Sequence, residues 1–139
     1  MQKTQKGFTI IELIVVIAII AVLATIVAIN VTQYIAKGKD ASIQGNLANV
    51  LTNAAVIFDA SNTYTGMCTK SSIATALTAI DGTEGATGKS DCNATADAWA
   101  ACGQLINTDA YYCVDSTGAK KSIATKTTCV TSWAATVCP

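Results

Sequence analysis

Histidine is absent from these 139 residues, and so is arginine. Without histidine the chain cannot build Ser-His-Asp or Cys-His nucleophile pairs, and it lacks the commonest metal ligand. No Gly-rich phosphate loop appears either. The chain therefore reads as a non-enzyme that needs no cofactor and no metal. Proline occurs once, at Pro139, so no proline breaks a helix before the final position. Nine lysines balance nine acids, for a formal net charge of zero. That leaves no electrostatic footprint for nucleic acid. Lys120-Lys121, without arginine or a stacking cluster, is a weak signal for DNA.

What is present is concentrated at one end. The stretch Phe8 to Ile29 is 22 residues long, and Glu12 is its only charged member. A helix of that length rises about 33 Å, at ~1.5 Å per residue. The hydrocarbon core of a bilayer is about 30 Å thick. A charge at its centre costs on the order of 3 kcal/mol by insertion scales, and less off-centre, where Glu12 sits. The short Met1–Gly7 stretch carries Lys3, Lys6 and no acid, which favours a cytoplasmic location for that end. A secretory signal peptide, cut near Val22-Leu23-Ala24, is a rival reading. Its usual apolar core of about 7–15 residues is much shorter than this run. A plain anchor accounts for the length but gives Glu12 no role.

Six cysteines, Cys68, Cys92, Cys102, Cys113, Cys129 and Cys138, all lie beyond the apolar run. No two form a C-x-x-C pair, so a zinc ribbon fits poorly. An even count in an Ala/Thr-rich region with few large side chains points to disulfides made in an oxidising compartment. The cysteine-rich part is thus expected across the membrane from the lysines. Six cysteines allow about 15 connectivities, which sequence cannot rank. Cys68–Cys92 would close one loop, leaving the other four to tie a sheet to the C-terminal tail.

The segment Gly7-Phe8-Thr9-Ile10-Ile11-Glu12, running into a long apolar helix, resembles the N-terminal signal of bacterial type IV pilins and pseudopilins. That resemblance covers about residues 1–60. It implies cutting by a prepilin peptidase between Gly7 and Phe8 and methylation of the new N-terminus. It also implies that Glu12 engages the Phe8 amine of a neighbouring subunit during assembly. Two opposite charges at ~4 Å attract by about 4 kcal/mol at an effective dielectric near 20. Such a pair offsets the insertion cost and sets a register. One departure stands out: many pilins carry a helix-breaking proline where this chain has Ile29. Asn30, Thr32 and Gln33 are the residues left to loosen that region.

Helical periodicity continues past the apolar run. Ile43, Leu47, Val50, Leu51, Ala54 and Phe58 share one face, with Asp40, Gln44, Asn49 and Asn53 largely elsewhere. One helix is expected over 8–59, interrupted only by Gly38 and Gly45. Ser61–Gly66 reads as a loop. Ser71 or Ser72 is expected to cap a short helix carrying Ile73, Ala76, Leu77 and Ile80. Thr83–Asn93 reads as a loop, with Asp81, Glu84 and Asp91 as a solvated face. Strands are expected at Ala98–Ile106, Tyr111–Asp115 and Lys120–Ala124, with Cys129–Pro139 as a last strand or tail. Asp115-Ser116-Thr117-Gly118 matches a β-turn better than a calcium loop. Tyr34, Phe58 and Tyr64 read as packing residues.

The expected fold is α+β: a long N-terminal helix, its lower half hydrophobic and protruding, on a small disulfide-bonded antiparallel sheet. The expected divisions are a leader at 1–7, the helix at 8–59 with its membrane or filament-core part at 8–29, and a Cys-rich head at 60–139. The resemblance implies a structural subunit that polymerises with copies of itself into an extracellular helical filament. It is stored before that in the inner membrane with its head outside the cytoplasm. Its partners would be the peptidase, an inner-membrane platform and a cytoplasmic ATPase. A type II secretion pseudopilin, a minor or DNA-uptake pilin, and a non-polymerising anchored or secreted Cys-rich module are the alternatives.

Overall fold

The computed structural model describes residues 7–83, 85, 90–108, 110–123 and 136–138. The element order is α1 (Ile10–Ser61), a 3-10 turn (Met67–Thr69), α2 (Ser71–Asp81), β1 (Asp91–Ala94), β2 (Trp99–Gln104), β3 (Tyr111–Asp115) and β4 (Lys120–Ile123). The chain divides into two units, Met1–Ile35 and Ala36–Pro139.

In the first unit every described side chain from Gly7 to Ile35 is exposed. The polar residues of α1 satisfy themselves locally. Thr25 Oγ1 donates to the Val22 carbonyl at 2.8 Å, and Asn30 Nδ2 donates to the Ile26 carbonyl at 3.0 Å. Such back-bonding lets Ser, Thr and Asn sit inside a helix without drawing on solvent. The helix accordingly runs unbroken through Asn30, Thr32, Gln33, Gly38 and Gly45.

In the second unit α1 turns amphipathic. Ile43, Leu47, Val50 and Ala54 are fully buried, while Leu51 and Phe58 are half-buried at the margin of the same face. Asp40, expected off that face, is buried instead. It accepts hydrogen bonds from the backbone N–H of Ile106 at 2.6 Å and of Asn107 at 3.3 Å. It lies three residues before Ile43, so the helix carries it inward, and two loop amides replace its water. α1 stops at Ser61 because Asn62 turns left-handed, at φ 51, and donates its N–H to the Phe58 carbonyl. Asparagine is one of the few residues that takes this conformation at low cost.

α2 buries Ile73, Ala76 and Ile80, the face expected from their spacing. Its N-cap is Lys70, with no side-chain cap, rather than Ser71 or Ser72. The 3-10 turn decides this: the Lys70 N–H donates to the Met67 carbonyl while its own carbonyl accepts from Ile73 and Ala74. Ser71 is thereby the first helical residue.

The four strands form an antiparallel meander in the order β1-β2-β3-β4. β1 falls in the segment expected to be a loop. Asp-Cys-Asn-Ala has no β-branched or aromatic residue, so its sequence gives no strand signal. It becomes a strand by pairing with β2 and by the Cys68–Cys92 disulfide. β2, β3 and β4 fall within their expected ranges, and Ala124 lies outside the described residues, as do Glu84, Gly88 and Cys129.

β2 is buried on both faces. One face, with Trp99 and Ala101, joins α1 and α2 in the main core. A Cβ at Gly103 would meet Ile80 Cγ2 at 2.9 Å and Ile43 Cγ2 at 3.2 Å, so only glycine lets both helices approach this strand. Phe58 stacks on Tyr64 at 4.6 Å, and Tyr64 meets Trp99 edge-on at 6.3 Å, which makes both packing residues. Tyr34 is exposed.

The opposite face has a second cluster of Cys102, Tyr111, Cys113, Ile123 and Cys138. The Cys113–Cys138 disulfide brings the C-terminal residues onto it. Cys102 is also disulfide-bonded. Asp115, wholly buried, organises this side. Its Oδ1 accepts from the Thr117 N–H, the Thr117 hydroxyl and the Ala119 N–H, and its Oδ2 accepts from the Cys138 N–H at 2.8 Å. The residues Asp115–Gly118 therefore form a turn, closed by Gly118 N–H on the Asp115 carbonyl at 3.0 Å.

Burial works to raise the Asp115 pKa, but the bonds from Thr117, Cys138 and Ala119 outweigh it and hold the carboxyl below its usual range. Since the folded value lies under the unfolded one, this stabilisation is complete above about pH 4 and is lost as pH falls through the folded value. Asp115→Asn should cost about 2 kcal/mol at pH 7 and remove that part of the acid dependence. Thermal unfolding of the full chain in detergent, followed from about pH 2 to 7, measures both.

Candidate functional site

The candidate site is the start of α1. Gly7, Phe8 and Thr9 are non-helical, and the helix begins at Ile10. A hydrogen-bond exchange between Thr9 and Glu12 fixes that boundary. The Thr9 N–H donates to Glu12 Oε2 at 2.9 Å, and the Thr9 hydroxyl donates to the same oxygen at 2.7 Å. The Glu12 N–H in turn reaches Thr9 Oγ1 at 3.4 Å. This is a capping box: Thr9 at the N-cap and Glu12 three residues on satisfy two amides that the helix leaves unbonded.

Glu12 thus has a partner in a single chain. Its carboxylate also sits at the positive end of the helix dipole, which favours an anion there. Both bonds from Thr9 land on Oε2. Sequence reasoning named Glu12 and Phe8 but gave Thr9 no role, although T-x-x-E ahead of an apolar run is a readable cap signal.

The peptide bond between Gly7 and Phe8 lies two residues outside the capped helix. Among the described residues, a Cβ on Gly7 would have no neighbour within 4 Å beyond the adjoining residues. Phe8 is 79% exposed and Ile10 79% exposed. A helical apolar face this long gains ~1.5–3 kcal/mol for each large side chain fully buried, so water is a poor solvent for it. α1 is long and apolar enough to cross a membrane. Among the described residues no group of three or more His, Cys, Asp or Glu could hold a metal ion.

Residues 2–28 match the family model of the prokaryotic N-terminal methylation motif. The chain carries that motif. It is the prepilin cleavage motif of type IV pilins and pseudopilins, and it supports a pilin-like or pseudopilin precursor. Proteins with this motif are structural rather than enzymatic, and the motif implies prepilin peptidase processing and filament assembly in general. The apolar helix that follows it suits membrane anchoring before assembly. No curated protein and no solved structure matches the chain. The motif stops well before the sheet, so the head's own role is read from its geometry alone.

The cap has a measurable consequence. Thr9→Val removes the hydroxyl from the cap and should cost about 1 kcal/mol locally. Amide hydrogen exchange of Ile10 to Leu13 in detergent micelles should speed up several-fold, whereas Thr9→Ser should leave it unchanged.

Proposed function

We propose that this protein is a type IV pilin: a structural subunit cut between Gly7 and Phe8 and polymerised through α1 into an extracellular helical filament. The observation that carries the proposal is the methylation motif at residues 2–28, joined to a helix whose described side chains are exposed from Phe8 to Ile35. A membrane covers that surface in the stored subunit, and other copies of α1 cover it in the filament. Cutting after Gly7 creates a free amine on Phe8, with an ordinary pKa near 8. Glu12 is the only carboxylate in the run able to answer it. Dispersion and close packing between apolar helices tolerate sliding, and one opposite-charge pair selects the stagger.

The head supports a life outside the cytoplasm. It is small, and two disulfides, Cys68–Cys92 and Cys113–Cys138, close loops with sequence separations of 24 and 25. Each is worth ~3 kcal/mol in the chain-entropy model. An inner-membrane platform and an ATPase would supply the work of extraction from the membrane. The type II secretion pseudopilin shares the motif but assembles into a short periplasmic fibre. Surface shearing separates the two, because only a pilus is recovered from the cell exterior.

Intact mass and N-terminal sequencing of sheared material should give a chain that begins at methylated Phe8. A start after the apolar run, near Thr25, would instead make this a secreted module, and an intact Met1 an ordinary anchor. Glu12→Ala should abolish sheared filaments while leaving the cut subunit in the membrane. Unchanged filament yield from that variant would remove the assembly role of Glu12.

A further inference from the structure

The two edges of the sheet carry opposite charge at the same level. Strand pairing sets Asp91 opposite Cys102, Cys102 opposite Cys113, and Cys113 opposite Lys121. Residues paired in this way share one face of a pleated sheet. The row therefore begins with a carboxylate on β1 and ends with an ammonium on β4, the two end strands of the sheet among the described residues. Its middle is made of two buried disulfide-bonded cysteines.

Each end is reinforced. Lys120 precedes Lys121 on the same strand and points to the opposite face of the sheet, so the β4 edge carries an exposed ammonium on each face. Asp81, at the end of α2, is held against the start of β1 by the Ser90 N–H, which donates to its Oδ1 at 2.6 Å. Asp91 Oδ1 accepts from the Cys92 N–H. Among the described residues none of these four side chains is ion-paired. Three strand spacings of ~4.8 Å separate the acidic edge from the basic one by about 14 Å, so the charges cannot meet within one head.

We propose that the β4 edge of one head, through Lys120 and Lys121, docks against the β1 edge of the next copy, through Asp81 and Asp91. The inference rests on the filament reading above and names the contact that its heads make. The occupant is a second copy because the two complementary patches belong to different surfaces of the same chain. Such a heterologous contact leaves one unsatisfied edge at each end and repeats without closing, which is the symmetry a helical filament needs. At about 0.1 M salt, charges interact over only ~10 Å, so the contact acts between touching heads and weakens as salt rises.

Filaments assembled from a mixture of ordinary and 15N-labelled full-length subunits test this. After shearing, a carbodiimide joins touching carboxylates and amines without a spacer, and mass spectrometry reads the joined peptides. The expected product links Lys120 or Lys121 to Asp81 or Asp91, with one peptide light and the other heavy. Lys121→Glu should lower filament yield several-fold while the Phe8 start is retained, and adding Asp91→Lys should restore it. Filaments that form but give no mixed-isotope link, and that tolerate Lys121→Glu unchanged, would overturn the contact and leave the pilin reading standing. Wild-type subunits that never yield a filament would overturn the pilin reading, and the contact with it.

Discussion

The main constraint on this protein is the apolar first half of α1, none of whose described side chains is buried in the chain itself. From Phe8 to Ile29 a single carboxylate interrupts the hydrophobic run, and the described side chains of the first unit are all exposed. Burial of such a surface is favourable at about 25 cal/mol per Å², which suits membrane anchoring and, in the proposed filament, packing against other copies. Glu12 is affordable in that setting because Thr9 already occupies one of its oxygens. The same residue that caps the helix holds the charge that the proposed assembly would use.

The head solves a different problem with different means. A four-stranded sheet has two faces, and among the described residues helix covers one of them. α1 and α2 pack on the side that bears Trp99, Ala101 and Gly103. The other side is covered by disulfide chemistry and by Asp115. The Cys113–Cys138 bond and the Cys138 N–H on Asp115 draw the C-terminal residues across it. Two buried carboxylates, Asp40 and Asp115, act in the same manner at opposite faces: each gathers backbone amides of a loop. An ionised acceptor makes stronger hydrogen bonds than a neutral one, which suits loops too short to build their own ladders.

The division of labour between the two units bears on how such a subunit is used. In the proposed filament, apolar packing between first units is strong but poorly directional, and would hold copies together without fixing their arrangement. In the proposed filament point charges would supply the register: Glu12 in the first unit, and the lysines and aspartates at the sheet edges in the second.

Much of this was legible in the sequence, and for stated physical reasons. A run of apolar residues without proline can only be a helix at this length, and the 3.6-residue spacing from Ile43 to Ala54 fixed which face would be buried. The strands β2 to β4 were legible because Trp, Tyr, Val and Ile alternate with turn residues there. Three features were decided only by tertiary structure. β1 has no intrinsic strand preference and exists because β2 offers an edge and Cys68 a tether. Asp40 reads as a surface residue until the loop at Ile106 and Asn107 comes over it. The level placement of Asp91 and Lys121 depends on register across three strand pairs, which no local pattern encodes. Propensity and periodicity act within a few residues, whereas register and burial of a charge are settled by whatever the rest of the chain brings alongside.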